Sequence, residues 1–282
     1  MTAIFSNTRP VGLLSPMAAA RLIPAKRLLL AETGVQIALA LPSLLAYWID
    51  DRTLNGISVW SKPLKFQSSL VVLLVTLLFM LPLIERQTRE GRTVWLAAFS
   101  ASLMSVVEIA YITLQAARGR ASHFNTDTSL EMLAYQVMGA GATLIVAGSF
   151  AIGLAIALRP DRSYPAGVRL GSAWGLMLGS VLTLVTAFVL GSGAIAGPGH
   201  WIGGMKSDVD GLFLLGWSRT GGDLRVPHFF ATHIMQALPV LGLMLDRAAP
   251  ERAARGILAS CLVATLVVAL TFWQAVSGHP FL

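Results

Sequence analysis

The chain has 282 residues, of which 55% are hydrophobic and only 12% charged, and its mean hydropathy is +0.69. Soluble domains carry about a quarter charged residues, so this composition excludes an ordinary soluble domain and makes the bilayer the expected solvent. The formal charge of +7 comes from short basic groups between apolar runs, not from a basic stripe interleaved with aromatics, which excludes a nucleic-acid face, and the single Cys261 excludes an intramolecular disulfide or a cysteine metal knuckle.

Residues 1–27 have their apolar stretches broken by Pro10, Pro16 and Pro24, and Arg21, Lys26 and Arg27 stand directly before the first long apolar run. This pattern reads as a cytoplasmic tail and not as a secretory signal. Crossing about 30 Å of hydrocarbon takes about 20 helical residues at 1.5 Å each. Seven segments reach that length: 28–49, 64–84, 93–117, 131–158, 166–190, 227–245 and 254–276. The expected fold is all-α, a polytopic integral membrane protein with a seven-transmembrane-helix bundle, and residues 277–282 form a short tail.

The first segment holds Glu32 and Gln36 near its start, and Pro42 is expected to interrupt it further along. In the fifth, Gly171, Gly175 and Gly179 recur every fourth residue on one face. That small-residue spacing lets helices approach closely, within the bundle or in a homo- or hetero-oligomer. The sixth is short and begins with polar residues.

Orientation follows from Lys and Arg in the short connections. With the N-terminus inside, thirteen of the 21 basic residues fall on the cytoplasmic side, including Arg86, Arg89, Arg92, Arg159 and Arg162. The bias predicts a cytoplasmic N-terminus and an outside C-terminus in a cell membrane, read here as a bacterial inner membrane. Trp48, Trp60, Trp201, Trp217 and Trp273 then fall near the outer boundary, and Trp95 and Trp174 near the inner one, as interfacial rings should.

The inner connections are short, basic and punctuated by Pro and Gly. The outer ones differ. Residues 50–65 contain an Asn-Gly turn, residues 117–131 place His123 among hydrogen-bonding side chains, and the loop 191–226 is long enough to suggest a lid, with 211–217 lying in the interface or re-entering. All five histidines fall on or near this side.

Two residues sit deeper. By helix rise, His233 lies about 9 Å below the outer boundary and Glu108 at a similar depth on the third helix. An ionisable side chain there normally faces a bundle interior or a polar cavity. Tyr111 and Gln115 share the helical face of Glu108, and Gln236 lies one turn from His233. The expectation is an outward-facing polar pocket between the third and sixth helices, formed by Glu108, Tyr111, His233 and Gln236 with His228 at its rim.

Several chemistries would use such a pocket. A metal ion or haem would draw on His233, His228, His123 and Glu108, imidazole being the ligand and carboxylate a ligand or acceptor. His228 and His233 are five apart, however, about 140 degrees around a helix, so one face cannot present both to one ion. A proton-coupled transporter or channel would exchange protons between Glu108 and His233, with Glu32 and Gln36 as an inner half-path. A membrane-embedded lipid hydrolase would use a metal-bound water with Glu108 or Asp223 as base. Seven spans and several histidines are also found in the progestin-receptor-like and alkaline-ceramidase hydrolases, but the last segment here has no histidine pair four apart, only Gln274 and, beyond it, His279, so the chain is not placed among them. An accessory or structural subunit of a membrane complex is the remaining class. A retinal protein is excluded by the absence of a lysine deep in the last segment.

Overall fold

The computed structural model describes residues 24–209 and 211–282. Most of the tail expected at 1–27 lies outside the described residues. Among the described residues, seven helices are long and apolar enough to cross a membrane. They are α1 (Ala25–Ile49), α2 (Ser61–Met80, prolonged by a 3-10 turn to Leu83), α3 (Arg92–Ala117), α4 (Ser129–Leu158), α5 (Ala166–Ser192), α6 (Arg225–Ala248) and α7 (Ala253–Val276). The protein is a polytopic all-α membrane protein, and each helix starts within three residues of its expected position. An odd number of spans puts the start of α1 and the end of α7 on opposite faces, called here the N-terminal and C-terminal faces.

Packing follows chain order. α1 lies against α2 and α3, α2 against α3, α3 against α4, α4 against α5, α5 against α6, and α7 covers α6 and α5. The closest approach is between α5 and α6, where the Gly171, Gly175, Gly179 face is used inside the bundle. A Cβ at Gly175 would stand 3.0 Å from Pro239 Cδ, and one at Gly171 would run into the Leu238 carbonyl. The glycine face thus serves an internal contact. Pro42 does not interrupt α1, which continues through it to Ile49. A helix loses only one backbone bond at a proline, and neighbouring helices hold it straight enough to continue.

The largest apolar cluster joins Leu29, Leu74, Leu77, Ala97, Ala98, Ala101, Ile152, Ile156 and Leu176. These positions are early in α1, α3 and α5 and late in α2 and α4, so this dry core occupies the half of the bundle toward the N-terminal face. Leucines and phenylalanines such as Phe79, Phe188 and Leu262 point outward, as expected when lipid surrounds the bundle.

Polar structure collects at the C-terminal face. A hairpin pairs Thr53–Leu54 with Ile57–Ser58, and its turn residues Asn55 and Gly56 have φ of 53° and 84°. Both are positive, the conformation that the Asn-Gly pair supplies in a tight hairpin. Thr128 caps the start of α4, its hydroxyl accepting from the Glu131 N–H and donating to the Glu131 carboxylate. The long loop between α5 and α6 is tied down by pairing of Trp201–Ile202 with Gly222–Asp223. Trp201 and Trp217 are buried inside this loop structure and do not line a lipid boundary, Trp217 packing on Phe229 and Phe281. The 211–217 run turns back on itself through the Leu212 N–H to Trp217 carbonyl bond.

Candidate functional site

Three elements bring ionisable groups together beneath the C-terminal face. α2 contributes Lys62 from its first turn, α3 contributes Glu108, and the α3–α4 loop contributes His123. Glu108 is buried against α4, where a Cβ at Gly141 would lie 3.4 Å from its Oε1. That oxygen has no hydrogen-bond partner among the described residues. The charge acting on Glu108 is that of Lys62, and Lys62 in turn feels Glu108, Arg225 and Asp208. The Lys62 ammonium makes no ion pair or hydrogen bond among the described residues; its contact is the Phe66 ring, 5.8 Å from the centroid.

His123 packs between Phe66 and Tyr135, with ring centroids 5.5 and 5.8 Å away. Burial, reinforced by the Lys62 charge, pushes its imidazole well below the usual 6.5 and keeps it neutral. Tyr135 donates to the Gly191 carbonyl at 3.1 Å and so joins α4 to the end of α5.

Above these groups the long loop carries a second polar assembly. Arg225 donates to Asp223 at 2.6 Å, to Asp208 at 2.8 Å and to the Gly216 carbonyl at 2.7 Å. Asp223 also accepts from the Ser218 N–H at 2.9 Å. Asp223, expected as a catalytic base, is thus occupied with Arg225 and the loop backbone. His200 is stacked on Trp201 and its Nε2 stands 3.8 Å from Asp208 Oδ1, beyond hydrogen-bond range. Burial would raise Asp208, but His200 and Arg225 outweigh it and hold this carboxyl below the ordinary range. Burial pushes the His200 imidazole down.

The other expected residues lie elsewhere in the bundle. His233 Nδ1 donates to the Phe229 carbonyl at 2.8 Å, and its ring centroid lies 3.9 Å from that of Phe229. His228 meets the Thr186 hydroxyl at 3.1 Å on α5. Gln236 reaches α2, donating to Thr76 at 3.1 Å. Tyr111 accepts from Gln115 at 3.0 Å and does not donate to the Glu108 carboxyl. α3 and α6 are not among the substantial helix pairs, so the expected pocket between them is not a direct interface. Among the described residues, no three of the His, Cys, Asp and Glu side chains are grouped so as to hold a metal ion, which leaves His233, His228, His123 and Glu108 as separate features.

Sequence reasoning passed over Lys62, Lys65 and Asp208 as site residues. A usable signal was present: two lysines three apart open an otherwise apolar α2, and a charge at a membrane helix end needs an explanation. No protein-family model, curated protein or solved structure matches the chain.

Proposed function

We propose that the chain binds a small organic anion at its C-terminal face, with Lys62 as the counter-charge and Glu108 as the hydrogen-bonding partner. The observation that carries this reading is that, among the described residues, the Lys62 ammonium makes no ion pair although its charge acts on Glu108, whose buried Oε1 has no hydrogen-bond partner. Unpaired ionisable groups inside a membrane domain are costly and are retained where they serve a site. The sign of the ligand follows from what is already paired. Asp208 and Asp223 are taken up by Arg225. Lys65 donates to the Leu215 carbonyl at 3.1 Å, and among the described residues neither it nor Lys62, on the same helix turn, makes an ion pair with a carboxylate. Phe66, His123 and Tyr135 supply flat apolar walls, suited to a carboxylate carrying a ring or short hydrocarbon.

The basic-residue bias supports an outside position for this face, in a bacterial inner membrane, with the long loop over the site as its cover. Benzoate serves as the probe. Thermal unfolding of the detergent-solubilised protein is expected to shift upward with benzoate concentration, because a ligand bound only to the folded state stabilises it. The shift should vanish in Lys62→Met, and benzylamine, the same ring with the opposite charge, should give none. Equal shifts from both compounds, or a full benzoate shift in Lys62→Met, would overturn the assignment.

A further inference from the structure

The interface of α1, α2 and α3 holds buried polar atoms that the anion site does not use, and they approach Glu108, which it does. Glu32 and Gln36 on α1 are 5% and 0% exposed, and Gln36 donates to Glu32 at 2.6 Å and across to the Ser105 carbonyl of α3 at 3.4 Å. Gln67 on α2 donates to Ser43 on α1 at 3.0 Å. Among the described residues, oxygens on Gln36, Gln67, Ser102 and Ser105 are buried with no hydrogen-bond partner, as is Oε1 of Glu108, which lies against α4.

Helix rise orders these groups along the membrane normal. From the N-terminal face, Glu32 stands about 10 Å in, Gln36 about 16 Å, Ser105 about 20 Å and Glu108 about 24 Å. Successive groups are therefore separated by about one water molecule's reach or less along the axis. Buried polar atoms are almost always hydrogen-bonded, to protein or to ordered water, and leaving one unmade costs as much as a hydrogen bond is worth. Simple helix adhesion would not leave a series of such atoms at successive depths; Thr33 and Ser43, which satisfy themselves on the carbonyls of Leu29 and Leu39, show the self-contained alternative.

We infer that this seam is a hydrated proton path joining Glu32 to Glu108. A proton enters from the N-terminal face and protonates Glu32, passes by hydrogen-bond exchange through water held by Gln36, Ser102 and Ser105, and reaches Glu108. Glu108 releases it toward the C-terminal face, where the charge of Lys62 on α2 acts both on this carboxyl and on His123 of the α3–α4 loop. Both carboxyls return to their starting state, and one positive charge crosses per cycle. The seam shares Glu108 with the anion site but rests on separate observations.

The test uses the full chain in lipid vesicles filled with pyranine, with a potassium gradient and valinomycin to set the potential and carry the compensating charge. Potential-driven pH change inside the vesicles is expected in the wild type. It should fall to the level of protein-free vesicles in Gln36→Leu, which puts a hydrocarbon plug in the seam, and in Glu32→Gln, which keeps the shape but removes the titrating group. Glu32→Gln guards against misfolding of the leucine variant, and helical circular dichroism checks both. Wild-type flux no greater than that of protein-free vesicles, or flux unchanged in both variants, overturns the path. Benzoate stabilisation is measured on the same samples. Its retention in Gln36→Leu separates failure of the path from failure of the anion site.

Discussion

Arg225, in the first turn of α6, holds Asp208 of the long loop at 2.8 Å while it also grips Asp223, just before its own helix, at 2.6 Å. One guanidinium thus locks the middle of the loop to the helix that the loop leads into. The Asp208 and Asp223 side chains are only 8% and 1% exposed, so neither carboxylate has water to replace the arginine. Removing one member of a buried ion group strands the others at a cost of about 3–5 kcal/mol. Arg225→Ala is therefore expected to free the loop while the seven helices persist. Trypsin should then cut faster after Lys206 and Arg219, with little change in helical circular dichroism. Arg225→Lys should rescue only in part, because one ammonium cannot make the forked contacts of a guanidinium. Unchanged cleavage in Arg225→Ala would show that the paired strands alone hold the loop.

The loops at this face should weaken in acid. His123 and His200 both titrate lower in the folded protein than their ordinary 6.5, because burial disfavours the imidazolium. As pH falls below about 6.5, the unfolded chain takes up protons that the folded chain refuses, so stability declines toward the lower folded values. Asp208 acts in the same direction further down. Its folded value is below 3.8, so the stability it contributes is present above that pH and is lost as pH falls through the folded value. Thermal midpoints measured from pH 8 to pH 5 are expected to drop, and the double variant His123→Gln, His200→Gln should flatten that part of the curve. A slope unaffected by the double change would assign the acid sensitivity to other groups.

The span count, the order of helices and the polar character of one face were legible because a bilayer demands long apolar runs and places every interruption under constraint. Glu108 was legible for the same reason. Its partner was not: depth along a helix predicts which residues share a level, but says nothing about which helices are neighbours. His233 shares the depth of Glu108, yet α6 packs on α5 and α7, whereas Glu108 meets α4 and the Lys62 charge. The two tryptophans Trp201 and Trp217 illustrate the same gap, since sequence position near a boundary does not reveal that a loop will fold over them.

Two glycine substitutions separate close packing from helix propensity. A Cβ at Gly171 would meet the Leu238 backbone of α6, which cannot rotate away as a side chain can. Gly171→Ala should force α5 and α6 apart and destabilise by about 1–3 kcal/mol, the usual cost of overpacking. A methyl group at Gly139 in α4 would have no neighbour within 4 Å. Gly139→Ala is then expected to be neutral or to stabilise by up to about 1 kcal/mol through helix propensity. Thermal midpoints of the two variants in the same detergent check the contrast. Equal effects would mean that the α5–α6 contact yields more easily than its backbone-to-backbone approach implies.

Asp246, near the end of α6, accepts from the Gly167 and Val168 N–H groups at 2.7 Å each and so caps the start of α5 from another helix. Those N–H groups belong to the first turn, where no carbonyl within the helix can reach them, and a carboxylate there is favoured by the helix dipole as well. Hydrogen bonds to a charged acceptor contribute about 1.5–3 kcal/mol each in favourable settings, and partial exposure at this membrane edge reduces the gain. Asp246→Ala is expected to lower stability by about 1–3 kcal/mol in total. Its value lies in where it sits. The cap is at the N-terminal face, on the other side of the bundle from Lys62 and away from the α1–α3 seam. Asp246→Ala should therefore lower the thermal midpoint while leaving both the benzoate-induced shift and the vesicle proton flux intact. If either were lost with the midpoint, loss of function in the Lys62 or Gln36 variants would have to be read as general loosening of the bundle. Retention of both ties those losses to the residues changed.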